Sequence, residues 1–160
     1  MSDCPTCGRA LDAHDRHHRF TLPTPVLGLP DREHTPGTWL SHGTPQESVM
    51  MQVPGAGAFV RALLPVQLDG GFKVTYGIWL GIHPDQLPQT FAMWWEPEYA
   101  DLRLDGVLAN EIPPWGLFQT RATATVRDPE HTPYITSSPD PLLTKVLTQA
   151  WPHEDVLEHL

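Results

Sequence analysis

The sequence has only two cysteines in 160 residues, Cys4 and Cys7. So small a number excludes the disulfide-dense scaffold of a small secreted domain, and two thiols this close together cannot staple distant elements. Positive charge is also scarce: ten Lys and Arg stand against nineteen Asp and Glu, a net charge of -9. Such a chain repels phosphate backbones and anionic lipid faces. Nucleic acid and membrane are therefore not the expected partners, and the acidic balance suits a basic protein instead. Arg9, Arg16 and Arg19 cluster near the start, but Asp3, Asp12 and Asp15 are interleaved with them, which describes a mixed solvated face. No apolar run approaches the ~20 residues of a membrane span, and the first residues carry acids and histidines where a leader would be basic and then apolar. The expected location is the cytoplasm. No H-E-x-x-H, G-x-S-x-G, G-x-G-x-x-G or P-loop pattern occurs, so no catalytic motif is recognisable.

The chain does have a 40% apolar fraction, six tryptophans, 18 prolines and 12 glycines. Together these predict a folded domain built from short, often interrupted elements. The length matches one domain. Residues 1–19 form a Cys/His-rich N-terminal knuckle, and residues 20–57, with Pro23, Pro25, Pro30, Pro36 and Pro45, read as a Pro-rich extended connection packed on the domain. Residues 58–160 are the expected α+β core.

In that core Val60, Ala62, Leu64, Val66 and Leu68 fall on one face at period two, with Arg61 and Gln67 on the other. Pro65 marks an edge or a bulge. After the turn signal Asp69-Gly70-Gly71, Phe72, Val74, Tyr76, Ile78, Leu80 and Ile82 alternate again, which predicts an antiparallel hairpin. Leu87, Phe91, Trp94 and Trp95 at helical spacing predict a short helix opened near Asp85 and Pro88 and ended by Pro97. Strands are expected at 102–108, 117–127 and, more briefly, 133–136. Asp140 as N-cap, Pro141 at the first helical position, and an apolar stripe of Leu142, Leu143, Val146, Leu147 and Ala150 predict an amphipathic helix. Pro152 interrupts it, and a last helical turn follows from Glu154. The expected fold is α+β: a single domain with a twisted antiparallel sheet, a short mid-chain helix, C-terminal helices and an irregular Cys/His-rich N-terminal appendage.

Cys4-Pro5-Thr6-Cys7-Gly8 carries the most specific local chemistry. Two thiolates at this spacing can hold Zn²⁺ from a tight turn in which Gly8 avoids a Cβ clash. A structural site needs two more ligands, which must come from His14, His17, His18 or His34; Cys4, Cys7, His14 and His17 make a Cys₂His₂ set. The interval from Cys7 to His14 is shorter than a zinc-finger helix requires. A redox pair would instead need its first thiolate at a helix N-terminus, usually after a strand, a context absent here. Two reduced, metal-free thiols or a labile disulfide in a capping turn are the remaining reading. The run His14-Asp15-Arg16-His17-His18 also admits a pH-sensitive surface, or reversible metal handling.

Trp94-Trp95-Glu96-Pro97-Glu98-Tyr99 admits a pocket with Glu96, Glu98 or Asp101 as acid or base, although paired tryptophans at a helix end are more often core and rim packing. Residues 110–116, ending in Trp115-Gly116, read as a rigid turn with an aromatic anchor.

These features together resemble a bacterial family catalogued as domain of unknown function 2199. The similarity lies in Cys4 to Gly8, Phe59 to Val66, Tyr76-Gly77-Ile78-Trp79-Leu80, and Gly106-Val107-Leu108-Ala109-Asn110-Glu111-Ile112-Pro113. Thr132-Pro133-Tyr134-Ile135 and Asp140-Pro141-Leu142 extend it over most of the chain. The chain departs from the family at Leu11-Asp12, where the family often has a histidine, and at Thr132 and Asp140, where it has Arg and His. No ligand role carries over to those positions. The resemblance implies a bacterial protein and supports the fold reading; the family has no assigned reaction to lend.

Two functions follow as expectations. The first is a non-catalytic binding or regulatory module, immunity- or adaptor-like, with a structural zinc knuckle and a protein partner. The alternative is a small biosynthetic or hydrolytic enzyme with Glu96, Glu98, Glu111 or a scattered histidine in a pocket over the sheet.

Overall fold

A computed structural model describes residues 16–27, 37–44, 47–112 and 115–157. Cys4, Cys7, His14 and His34, and with them most of the expected N-terminal appendage, lie outside the described residues. In chain order the elements are β1 (Arg16–Arg19), α1 (Thr24–Leu27), β2 (Trp39–Leu40), β3 (Met50–Val53), β4 (Gly57–Leu68) and β5 (Lys73–Ile82). They continue with α2 (Leu87–Trp94), β6 (Arg103–Leu108), β7 (Arg121–Thr125), β8 (Tyr134–Ser137), α3 (Pro141–Thr148), β9 (Ala150–Trp151) and α4 (His153–Leu157). Single 3₁₀ turns, Pro84–Gln86 and Pro97–Asp101, flank α2. The chain is thus mixed α+β with one sheet.

The hairpin expected from alternation is the centre of that sheet: β4 and β5 pair antiparallel from Ala58↔Ile82 to Gln67↔Lys73. β5–β6, β6–β7 and β7–β8 then follow as an antiparallel meander. β8 returns to β4, where Leu63 pairs with Tyr134 and the Leu63 N–H donates to the Pro133 carbonyl at 2.7 Å. The sheet therefore closes into a barrel of five strands. With an odd number of up-and-down strands the first and last run the same way, so this closure has to be parallel. Three further strands extend β4 and β5: β3 and then β2 continue from β4, and β1 lies parallel to β5; β9 pairs parallel to β4 at Gln67 and Leu68.

Alternation explains what fills the barrel. Ala58, Val60, Ala62, Leu64, Val66 and Leu68 from β4 meet Val74, Tyr76, Ile78, Leu80 and Ile82 from β5, with Leu104, Leu108, Ala122, Ala124 and Ile135 from the meander. Each large aliphatic side chain buried this way contributes about 1.5–3 kcal/mol relative to exposure. Burial pushes the Tyr76 phenol up to about 12.

The other face of the hairpin is covered as well. Phe59 and Trp79 pack with Val26, Met51, Val53 and Ala109 in a second, smaller core. Arg61, on the face opposite the apolar row as alternation placed it, is buried there with them, whereas Gln67 is exposed.

Local chemistry sets the irregularities. Along β4 and just past it, the N–H groups of Arg61, Leu63 and Asp69 donate to the carbonyls of Val49 before β3, Pro133 before β8 and Trp151 of β9 in turn, so the missing N–H of Pro65 falls on that same side, between the β8 and β9 pairings. Proline is accommodated because no ladder bond is due there. Where β5 meets β6, a Cβ at Gly106 would stand 2.2 Å from the Gly81 carbonyl oxygen, so only glycine allows the crossing. Just beyond, the Asn110 amide replaces the ladder: its Oδ1 accepts the Trp79 N–H at 2.8 Å and its Nδ2 donates to the Leu22 carbonyl at 2.9 Å.

The expected strand at 117–127 is shorter, since residues 117–120 form a turn in which the Thr120 N–H donates to the Leu117 carbonyl at 3.1 Å. Asp140 caps α3 as anticipated, its Oδ2 accepting the Leu143 N–H at 3.0 Å. Leu143 and Val146 of α3 join the barrel core.

Candidate functional site: an aromatic row on an acidic face

Pairing of β2 with β3 places Trp39 opposite Gln52, so their side chains share a face of the sheet extension. The neighbouring helix α2 begins with Pro88 in its first turn, and its Thr90 hydroxyl donates back to the Gln86 carbonyl at 2.8 Å. Its inner side is Leu87 and Thr90, both buried. Phe91 and Trp95 are four residues apart, so they stand on one side of the helix end.

Three aromatic rings meet on this surface. Trp39 and Phe91 contact at 5.3 Å between centroids with planes at 75°, and Phe91 and Trp95 contact at 4.8 Å and 66°. His42 extends the row to Trp95 at 6.2 Å. Edge-to-face pairs of this kind add about 0.5–1.5 kcal/mol beyond area burial. Yet Trp39, Phe91 and Trp95 remain 37%, 39% and 54% exposed. Trp39, Gln52, Leu87, Pro88 and Phe91 line a groove of about 370 Å³ beside them. The paired tryptophans thus diverge: Trp94 turns inward to Tyr99 at 4.9 Å, and Trp95 turns outward. Tyr99 is itself held by donation from its hydroxyl to the His131 carbonyl, and burial raises its pKa.

The segments that carry the row have charge of one sign. Residues 37–56 and 83–102 contain no Lys or Arg but do contain Glu47, Asp85, Glu96, Glu98 and Asp101. All five carboxylates are exposed.

Glu96, Glu98 and Glu111 do not converge on a cleft. All three are exposed, and none lines the aromatic groove, the barrel-mouth cleft of about 350 Å³, or the polar cleft of about 530 Å³ over β6 and β7. Among the described residues, histidines take local roles. His83 Nδ1 accepts the Asp85 N–H at 3.1 Å, and His153 is buried with its ring nitrogen at the Asp69 carbonyl and its ring edge on Phe72.

Of the candidate metal ligands, only His17 and His18 fall within the described residues, on β1 beside Thr75 and Tyr76 of β5. Among the described residues no group of three or more metal-binding side chains occurs.

Arg61 is strongly perturbed. Burial first, and then Arg19, push its guanidinium down to about 9, so it keeps its charge at neutral pH. It lies over the Trp79 ring at 4.2 Å and donates to the carbonyls of Ser48 at 2.9 Å, Phe20 at 2.8 Å and Thr21 at 3.4 Å.

The aromatic row was only half visible in the sequence. The spacing of Leu87, Phe91, Trp94 and Trp95 signals a helix expected to lay its aromatics on the sheet, but Phe91 and Trp95 stand exposed, and Trp39 arrives through a two-residue strand that no periodicity announces. Among the described residues no helix is long and apolar enough to cross a membrane. Comparison of the chain with family models, curated proteins and solved structures found no match.

Proposed function

We propose that this chain is a non-catalytic binding or regulatory module, immunity- or adaptor-like, that docks a basic segment of a partner protein on the aromatic row. The observation that carries this reading is the combination of three exposed, touching rings with five carboxylates and no cation on the segments that hold them. Exposed aromatic surface is retained against its solvation cost where something covers it. One-signed charge around it selects and steers a partner of opposite sign. The scatter of Glu96, Glu98, Glu111 and the histidines favours binding over the alternative of an enzyme. A structural Zn²⁺ on Cys4, Cys7, His14 and His17 belongs to the same proposal, as do the cytoplasmic setting and the kinship with the family described as domain of unknown function 2199.

The test is photo-crosslinking in the native cell, with a photoreactive phenylalanine analogue at position 91 and, as control, at the exposed Leu142 on α3. The expected result is a discrete adduct from position 91 alone, whose crosslinked peptide carries a Lys/Arg excess. That adduct should weaken several-fold when Glu47, Glu96 and Glu98 are changed together to Gln. Equal labelling from both positions, or an adduct indifferent to those carboxylates, overturns the docking reading.

A further inference from the structure

We infer that the groove between Trp39 and Phe91 is a receptor for one arginine side chain of the partner. This inference rests on the docking reading and gives its chemistry. Two rings in edge-to-face contact at 75° leave an open corner walled by π faces, and the groove of about 370 Å³ lies at that corner. A π face carries negative potential, so a corner of two such faces attracts a cation more strongly than one ring does. Leu87 and Pro88 complete an apolar lining suited to an aliphatic stem, and Gln52, exposed beside Trp39, offers an amide oxygen to an N–H donor.

Arginine fits this set better than lysine. Its planar guanidinium is more weakly hydrated, stacks on aromatic rings and still has N–H groups in its plane to reach the Gln52 amide. The exposed carboxylates on the segments that carry the row supply the field that draws the cation in, and an uncharged side chain of the same shape gains nothing from it.

The experiment titrates the folded protein with a short peptide of alternating glycine and arginine, with its citrulline analogue and with its lysine analogue. Binding is followed by the indole N–H resonances. The arginine peptide should bind at least about tenfold more tightly than the citrulline peptide, and more tightly than the lysine peptide. Trp39→Leu and Phe91→Leu keep apolar bulk but remove a π face, and each should abolish that preference while leaving the urea midpoint close to wild type. Should either variant unfold, the other carries the test, and Gln52→Leu provides a third probe of the groove.

Equal binding of the arginine and citrulline peptides would overturn the cation receptor while leaving the crosslinking result intact. Arginine binding that survives Trp39→Leu and Phe91→Leu would assign it to the acidic rim and overturn the inference too. So would lysine binding as tight as arginine, or an arginine peptide that does not bind.

Discussion

Gln119 occupies a backbone conformation that side chains avoid, with φ at 68°. Its N–H donates to the Leu108 carbonyl at 2.7 Å, and the turn around it is closed by the Thr120 N–H on Leu117, so tertiary bonds hold it in the left-handed region. A non-glycine residue there is strained by about 1 kcal/mol or more, because its Cβ crowds the following carbonyl. Gln119→Gly removes the crowding but adds freedom to the unfolded chain. The expected balance is a gain of about 0.5–1 kcal/mol, read as a higher urea midpoint at unchanged slope. Gln119→Val, branched at Cβ, should lower the midpoint instead. If glycine proves no more stable than glutamine, the strain is not there. Because Gln119 lines the barrel-mouth cleft, the same variant also shows whether that cleft depends on the turn.

At the scale of an element, β4 is buried on both faces, and Arg61 is how a charged residue survives in it. Its guanidinium ties β4 to the chain at residues 20–21 and to Ser48, while its plane rests on Trp79 of the partner strand β5. A lysine has one compact ammonium and cannot reach carbonyls on two separate segments while stacking on a ring. Arg61→Lys should therefore lower stability by about 2–4 kcal/mol, and Arg61→Met, which removes the guanidinium's bonds to Ser48 and Phe20 and its stacking on Trp79, by a similar amount. Urea unfolding checks this, and a change below measurement error for both would remove the structural role.

Arg61 also marks where the sequence stops being legible. Alternation at period two found the β4–β5 hairpin, and Asp140-Pro141 found α3, because both signals are local. The same alternation placed Arg61 opposite the apolar row but not in a core, since it cannot register that β3 and α1 return to cover the outer face. Barrel closure was invisible for a related reason. It depends on Leu63 meeting Tyr134, and on Gly106 allowing β5 and β6 to cross, and neither leaves a repeating pattern along the chain. Of the aromatic row, helical spacing found the helix that carries Phe91 and Trp95 but put its aromatics on the sheet rather than in the open, while Trp39 sits in a proline-rich stretch whose strand exists only through pairing with β3.

For the whole molecule, the barrel and the proposed zinc knuckle meet at one strand. β1 is a four-residue strand lying parallel on β5 outside the closed barrel, and it includes His17. A strand so short, paired along one side, has little stability of its own. A Zn²⁺ shared by Cys4, Cys7, His14 and His17 would link the residues before β1 to the sheet and add its binding free energy to the ordering of that edge. The described barrel core is drawn mainly from β4 to β8 and α3, so metal loss should loosen the edge without unfolding the rest.

Tag-free protein purified under reducing conditions is expected to hold one equivalent of zinc, and Cys4→Ser to lose it. The accompanying fall in melting temperature should be modest, roughly 5 °C for a contribution of about 2 kcal/mol in a domain of this size. Hydrogen exchange distinguishes a local effect from a global one: amides of Arg16–Arg19 should lose protection in Cys4→Ser while those of β4 and β5 keep theirs. Metal-free wild-type protein with the same protection at β1 would remove the zinc site and leave backbone pairing to β5 as the whole of what holds that edge.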